Sequence, residues 1–200
     1  MKQTETIRCK MLVIGAGMAG MAAALFAANR NISTIQVGIP GEILYASGLI
    51  DLLGVYPQEK RRIWRDPWKA LSAVRRNLPN HPYARVSEEK IRNALDECLA
   101  ALKAANLPYR FYKNRNADVL TPIGRFKRTY AIPESMWNGV IAWRHKRSCL
   151  LIDFEGLKGF STRQIQSVLK TKWPALKTAR IDFPDRHNEI YTERLAQSLE

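Results

Sequence analysis

From Met11 through Asn29 the chain carries no charge, and within that stretch "GAGMAG" sets glycines at positions 15, 17 and 20. An uncharged run of this length has three readings. A transmembrane helix needs about 20 predominantly apolar residues and tolerates glycine. A cleaved secretion signal wants a charged start, here "MKQTETIRCK", then an apolar run and small residues such as Ala22 to Ala24. The third reading uses the glycines. Apolar, β-favouring residues 7–14 lead into Gly15, and helix-favouring residues 18–29 follow. "ISTIQV", residues 32–37, then reads as a second strand bounded by Gly38 and Pro40. Strand, glycine turn, helix and strand make a βαβ unit, the setting in which GxGxxG has a mechanical role.

In that setting each glycine has a task. Gly15 allows a tight turn, Gly17 lets the backbone approach a pyrophosphate, and Gly20 lets the helix lie against the strand. Ala16, Met18 and Ala19 supply backbone between them, and the helix start offers free N–H groups and a positive dipole end. The nucleotide reading is the favoured one, and with it no transmembrane segment is expected. One part of the pattern is missing. An acid about 20 residues on, at the end of the second strand, ordinarily holds the ribose hydroxyls. Gln36, Val37 and Gly38 stand there instead, and Glu42 lies past the strand.

Further along, Asp66-Pro67 starts a helix that Pro79 ends, and Ser87 caps a second whose Ile91, Ala94, Leu95, Cys98, Leu99 and Leu102 keep helical spacing. Residues 109–113 alternate as a strand should, and 118–133 read as a hairpin about Pro122 to Gly124. Residues 148–154 form a buried strand, and Ser161 with Gln164 makes a capping box for a helix to about Lys170. Residues 179–184 are another strand, and 188–200 a closing helix. The expected class is α/β, a Rossmann-like FAD/NAD(P)-binding βαβ core with an inserted antiparallel or α+β subdomain. The expected division is a nucleotide-binding unit over 1–60 and, packed on it, an inserted region over 61–200.

The net charge is +14, and residues 101–150 alone carry +8 of it. Such a field favours nucleic acid, an acidic membrane surface, an acidic partner or an anionic substrate. Arg125, Lys127 and Arg128 in "GRFKR", and Arg144, Lys146 and Arg147 in "WRHKR", read as alternating strand residues on a solvated face, with a phosphate or partner role as the sharper option. Cys9, Cys98 and Cys149 form no CxxC pair, which suits reduced thiols in the cytoplasm. His81, His145 and His187 are equally scattered, so no metal site is expected.

Together with residues further down the chain, the glycine motif resembles the N-terminus of the anaerobic glycerol-3-phosphate dehydrogenase B-subunit family. "YASGLIDLLGVYP" (45–57), "NHPY" (80–83), "TPIGRFKRTY" (121–130) and "LLIDFEGLKGFS" (150–161) are similar to the family's later segments, in order and spacing. The resemblance implies a flavoprotein component of a complex that oxidises sn-glycerol 3-phosphate to dihydroxyacetone phosphate and passes electrons toward quinone. It implies FMN as cofactor, in keeping with the missing ribose acid, while likeness to the wider FAD-dependent group leaves FAD as the other option. The partners it implies are a larger, catalytic flavin-bearing A subunit, together with an iron–sulfur C subunit that docks the assembly on the cytoplasmic membrane. Gly15 to Gly20 match the family's phosphate turn, and Ser47 and Gly48 its second flavin-side motif. Ser47 has the alternative of a hydroxyl serving its own turn, and Asp51 that of starting a helix. Family members are considerably longer, so the chain is expected to be an N-terminal part without the C-terminal half of the family fold. No catalytic base can be assigned. A second reading is a non-catalytic Rossmann-like interaction subunit that binds an acidic partner or nucleic acid through residues 101–150.

Overall fold

A computed structural model describes residues 6–40, 46–182, 190–192, 195 and 197. Glu42, Tyr45, His187, the Phe183–Pro184 end of the last expected strand and most of the expected closing helix lie outside the described residues. In chain order the elements are β1 (Met11–Ile14), α1 (Met18–Ala28), β2 (Thr34–Val37), α2 (Pro67–Asn77), a 3₁₀ turn (Pro82–Ala84), α3 (Glu88–Ala104) and β3 (Tyr109–Phe111). Next come β4 (Ala117–Leu120), β5 (Phe126–Thr129), β6 (Ala131–Pro133), α4 (Glu134–His145), β7 (Cys149–Phe154), α5 (Thr162–Leu169) and β8 (Leu176–Ile181). The architecture is mixed α/β, built from pairs of strands rather than one broad sheet. Two units divide it: Met1–Leu49 with Ala73–Tyr109, and Ile50–Ser72 with Arg110–Glu200.

In the first unit β1 and β2 run parallel, with Met11 opposite Thr34 and Ile14 opposite Val37. Parallel neighbours require a crossover, and α1 supplies it, packing on both strands. The strands are shorter than the apolar runs that suggest them. Ile7 is exposed, and the Ile32 N–H closes the preceding helix by donating to Ala27 O at 3.0 Å. Alternation sends Val13 inward and leaves Leu12 and Ile14 exposed on the opposite face, where Val37, the register partner of Ile14, is exposed too. α3 begins as its sequence demands, with Ser87 Oγ accepting from Lys90 N–H at 3.2 Å and Glu88 and Glu89 in the first turn. Its Glu97 takes the Arg30 guanidinium at 2.9 and 3.1 Å and the Asn29 amide at 2.8 Å, which fixes α3 against the end of α1. The Arg30 hydrogen bond, with that from Asn29, holds the Glu97 carboxyl below its usual range. Cys98 is half-buried, and burial pushes its thiol up.

In the second unit Asp66 Oδ1 caps α2 by accepting from the N–H groups of Trp68 and Lys69 at 3.0 and 3.1 Å. β4 and β5 form the expected antiparallel hairpin, Ala117 opposite Thr129 and Leu120 opposite Phe126. One core gathers Ile165, Leu169, Trp173 and Leu176, packed by Phe126, Trp143 and Leu151. A second surrounds Trp68 and Tyr130, whose rings meet edge to face at 5.6 Å, while Trp68 Nε1 donates to Lys113 O at 3.0 Å.

The stretch around "WRHKR" corrects the strand expectation. Arg144 lies in the last turn of α4, Lys146 caps that helix at φ +51°, and Arg147 N–H bonds back to Ala142 O at 3.0 Å. The physical signals are helical: Trp137, Val140 and Ile141 share a face, Glu134 opens the first turn, and Arg144 and His145 suit the negative end of the helix dipole. A second correction concerns Asp51. It starts no helix, and its carboxylate pairs with Lys127 Nζ at 2.7 Å.

Candidate functional site

The turn between β1 and α1 contains three glycines that the fold treats differently. Gly15 adopts φ +119°, a conformation that L side chains rarely take, while its N–H donates to Val37 O at 2.7 Å. Gly20 lies in the first turn of α1, and a Cβ there would collide with Gly15 O and stand 3.0 Å from Gly15 C. Gly17 is the N-cap of α1 at φ −76° and ψ 177°, ordinary extended backbone, and a Cβ built on it meets nothing within 4 Å. Gly15 is therefore required by conformation and Gly20 by packing. Nothing in the protein itself requires glycine at 17. The space above it is open, and the helix start beneath has no side-chain cap and no acid in its first turn. Ala16, Met18 and Ala19 complete this stretch of backbone, with Met18 exposed.

Two residues at the end of the second strand, where the ribose-binding acid is missing, also shape the turn. Gln36 Nε2 donates to Gly15 O at 2.9 Å, so the residue standing where a ribose-binding acid is expected braces the turn instead. A Cβ on Gly38 would stand 2.8 Å from Ala16 N and 3.0 Å from Gly15 C, so the chain leaving β2 presses directly on the glycine loop. A glycine just past the second strand was the legible signal.

The second unit provides an internal comparison, because β7, α5 and β8 form another parallel βαβ unit, with Cys149 opposite Leu176 and Phe154 opposite Ile181. Here the helix start is filled from within. Ser161 Oγ accepts from Gln164 N–H at 3.4 Å, the hydroxyl half of a capping box. Asp153, 1% exposed at the strand end, accepts from Thr162 N–H at 3.4 Å and from Arg180 Nη2 at 3.0 Å. A carboxylate thus already sits at the positive end of α5, whereas α1 leaves the corresponding place empty. Asp153→Ala removes both bonds and is expected to destabilise the chain by about 1–3 kcal/mol. Chemical denaturation checks this, and an unchanged midpoint would mean that the carboxylate contributes nothing to α5.

Ser47 Oγ accepts from Leu49 N–H at 3.4 Å, a hydroxyl serving its own turn. Gly48 has φ +68°, and its carbonyl accepts from the Tyr109 hydroxyl at 2.6 Å. Burial pushes that phenol up from its ordinary range. Among the described residues no hydrogen bond joins Ser47 or Gly48 to the glycine turn. His81 Nδ1 accepts from Tyr83 N–H at 3.1 Å in the 3₁₀ turn, and His145 ends α4. Among the described residues no group of three or more His, Cys, Asp and Glu could hold a metal ion, and no helix is long and apolar enough to cross a membrane.

Comparison with known proteins adds to this geometry. The family model described as FAD binding domain matches residues 10–187. The chain is 24% identical over 180 residues to the anaerobic glycerol-3-phosphate dehydrogenase B subunit of Pectobacterium atrosepticum, covering 89% of this chain and 42% of that protein. It is 28% identical over 163 residues to the B subunit of the same name from Aliivibrio fischeri, covering 80% of this chain and 35% of that one. A probable B subunit from Halobacterium salinarum is 33% identical over 159 residues, covering 78% and 34%. The chain thus spans about two fifths or less of the length of these curated relatives. No solved structure matches it.

Proposed function

The chain belongs to the FAD binding domain family, and on that premise we propose that it forms the flavin-nucleotide-holding part of an anaerobic sn-glycerol-3-phosphate dehydrogenase B subunit. The observation that carries this reading is Gly17, a glycine with ordinary backbone angles and open space where its side chain would be, at an uncapped helix start. A fold that needed only its own stability could place a capping side chain there, as the second βαβ unit does at Ser161. In this reading the first unit is a Rossmann-like core. Gly15, Ala16, Gly17, Met18, Ala19 and Gly20 would cradle the flavin nucleotide's phosphate through main-chain N–H groups, and the backbone at Ser47 and Gly48 would pass near the flavin.

The flavin would supply the redox chemistry, and this chain's residues would bind and orient it. None of them is assigned as the base toward an alcohol substrate. The family description supports FAD. The engagement of Gln36 with Gly15 O, in place of an acid at that position, supports FMN as the second option. At the level of the complex we propose oxidation of glycerol 3-phosphate to dihydroxyacetone phosphate, electrons passing toward quinone. The partners would be a flavin-bearing A subunit, with an iron–sulfur C subunit that holds the assembly at the cytoplasmic face of the membrane. The exposed apolar face of Leu12, Ile14 and Val37 is a surface of the kind a partner chain covers, which supports a role within such a complex.

Absorption spectroscopy tests the reading. The purified chain, or the chain after incubation with FAD and with FMN followed by desalting, is expected to keep a flavin band, and the flavin retained identifies the cofactor. A chain that stays colourless with both would favour the other reading, a non-catalytic interaction protein using the charge of residues 101–150 to bind a partner.

A further inference from the structure

Within the second unit the β4–β5 hairpin, the end of α4 and the residues before β4 surround an open cavity of about 400 Å³. Arg65, Arg115, Arg128, Arg144 and Lys146 line it, and Asp118 is the one carboxylate among the lining residues. Arg128 takes that carboxylate at 3.1 Å. Among the described residues no ion pair joins the other four cations to an acid. Arg115 and Arg128 are half-buried, whereas Arg65, Arg144 and Lys146 stand exposed. The cavity is thus a basin with positive charge in its floor and more along its rim.

Aromatic rings hold three of the four cations that lack an acid. Arg115 lies 4.1 Å above the Tyr112 ring, and Arg144 lies 5.5 Å from it while its Nη1 donates to the Tyr112 hydroxyl at 3.2 Å. Lys146 Nζ sits 2.8 Å from the centroid of Trp143, which is itself stacked on Phe126 at 3.9 Å. A ring face fixes a cation without cancelling its charge. The same contacts use up the rings. Lys146 and Phe126 are both too close to Trp143 to share a face, so between them they cover it. Tyr112, besides its two guanidinium groups, meets the Trp137 ring at 5.0 Å. Arg65, the fourth cation, is placed through its backbone, its carbonyl accepting from Asn116 N–H at 2.7 Å beside Arg115.

We propose that this basin docks an acidic segment of a partner protein, one that carries several carboxylates in a short stretch. Planar guanidinium forks match carboxylate oxygens, and Arg65, Arg115, Arg128 and Arg144 make four of the five cations. Arg, Tyr and Trp are also the residues that protein interfaces concentrate, while Lys is depleted there. Other anionic partners fit less well. Single-stranded nucleic acid draws affinity from bases stacked on open ring faces, and the rings here are covered. A headgroup layer is planar and meets the rim, leaving the floor charge of Arg115 without a counterpart. A lone small anion leaves the exposed cations of two separate segments, Arg65 and the Arg144 to Lys146 stretch, unmatched at once. All the lining residues belong to the second unit, so the inference holds whether or not the glycine turn takes a flavin.

Titration calorimetry tests it on the full chain, with a terminally blocked hexaglutamate peptide as probe at fixed ionic strength. One saturable site per chain is expected. Arg65→Gln/Lys146→Gln, which removes two exposed rim charges, is expected to weaken it roughly tenfold, and Arg115→Gln in the floor by a comparable factor. Should Arg115→Gln fail to fold, the rim variant decides alone. Arg163→Gln/Lys177→Gln, the same charge loss elsewhere on the unit, is expected to change affinity by less than about twofold. Absence of saturable binding, or equal weakening by the two double variants, would overturn the proposal. So would inorganic phosphate, a uridine hexanucleotide or phosphatidylglycerol vesicles binding more tightly than the peptide and losing that binding in the basin variants.

Discussion

Gly17→Val is expected to leave the chain folded and abolish its flavin uptake. Both halves follow from the geometry of one residue. The backbone at 17 is in the extended region, which Val favours, and a Cβ built there meets nothing within 4 Å. The cost to the fold is the poorer helix cap, at most about 1 kcal/mol, since glycine is itself only a moderate N-cap. For a ligand the same side chain stands where main-chain N–H groups must reach phosphate oxygens, so close approach is lost and affinity is expected to fall by about a hundredfold or more. Thermal melts followed by circular dichroism, paired with absorption titrations against FAD and FMN, read the two halves separately. Uptake unchanged by the substitution would remove the turn from the flavin site.

The glycine turn was legible in the sequence because its chemistry is local. Gly15, Gly17 and Gly20 sit within six positions of each other, and the strand and helix on either side follow from short runs of residues. The starts of α2 and α3 were legible for the same reason, since Asp66 and Ser87 act on N–H groups two or three residues away. α4 was not, because "WRHKR" alternates as a strand does, and the face that decides the matter is set by Trp137 and Val140 earlier in the chain. The bracing of the turn by Gln36 and Gly38 is a tertiary fact, created by the register of β1 against β2. The cavity in the second unit was least legible of all. Its cations come from Arg65, Arg115, Arg128 and the segment at Arg144 to Lys146, and only folding brings them together. Charge counting located the excess over residues 101–150, but could not distinguish a solvated face from a concave one.

Gly20→Ala is expected to have the opposite signature to Gly17→Val: a large loss of stability, with loss of flavin uptake as its consequence. In a helix free of neighbours alanine is better than glycine by about 1 kcal/mol, so the substitution would stabilise α1 if local propensity decided the outcome. Packing opposes it. The added Cβ collides with Gly15 O, a backbone atom that cannot rotate away as a side chain would. Nor is the turn free to retreat. Gly15 N–H is held by Val37 O at 2.7 Å and Gly15 O by Gln36 Nε2 at 2.9 Å, while Gly38 closes the space beside Ala16. Relief requires α1 to lift from β1 or β2 to shift its register, and overpacking of this kind costs about 1–3 kcal/mol, more where backbone must move. The net expectation is a fall in melting temperature of several degrees, measurable by calorimetry on the two variants side by side. A rise for Gly20→Ala would mean that helix and strand stand farther apart than this geometry places them. The contrast between a glycine required by packing and one left open for a ligand, on which the flavin reading rests, would then disappear.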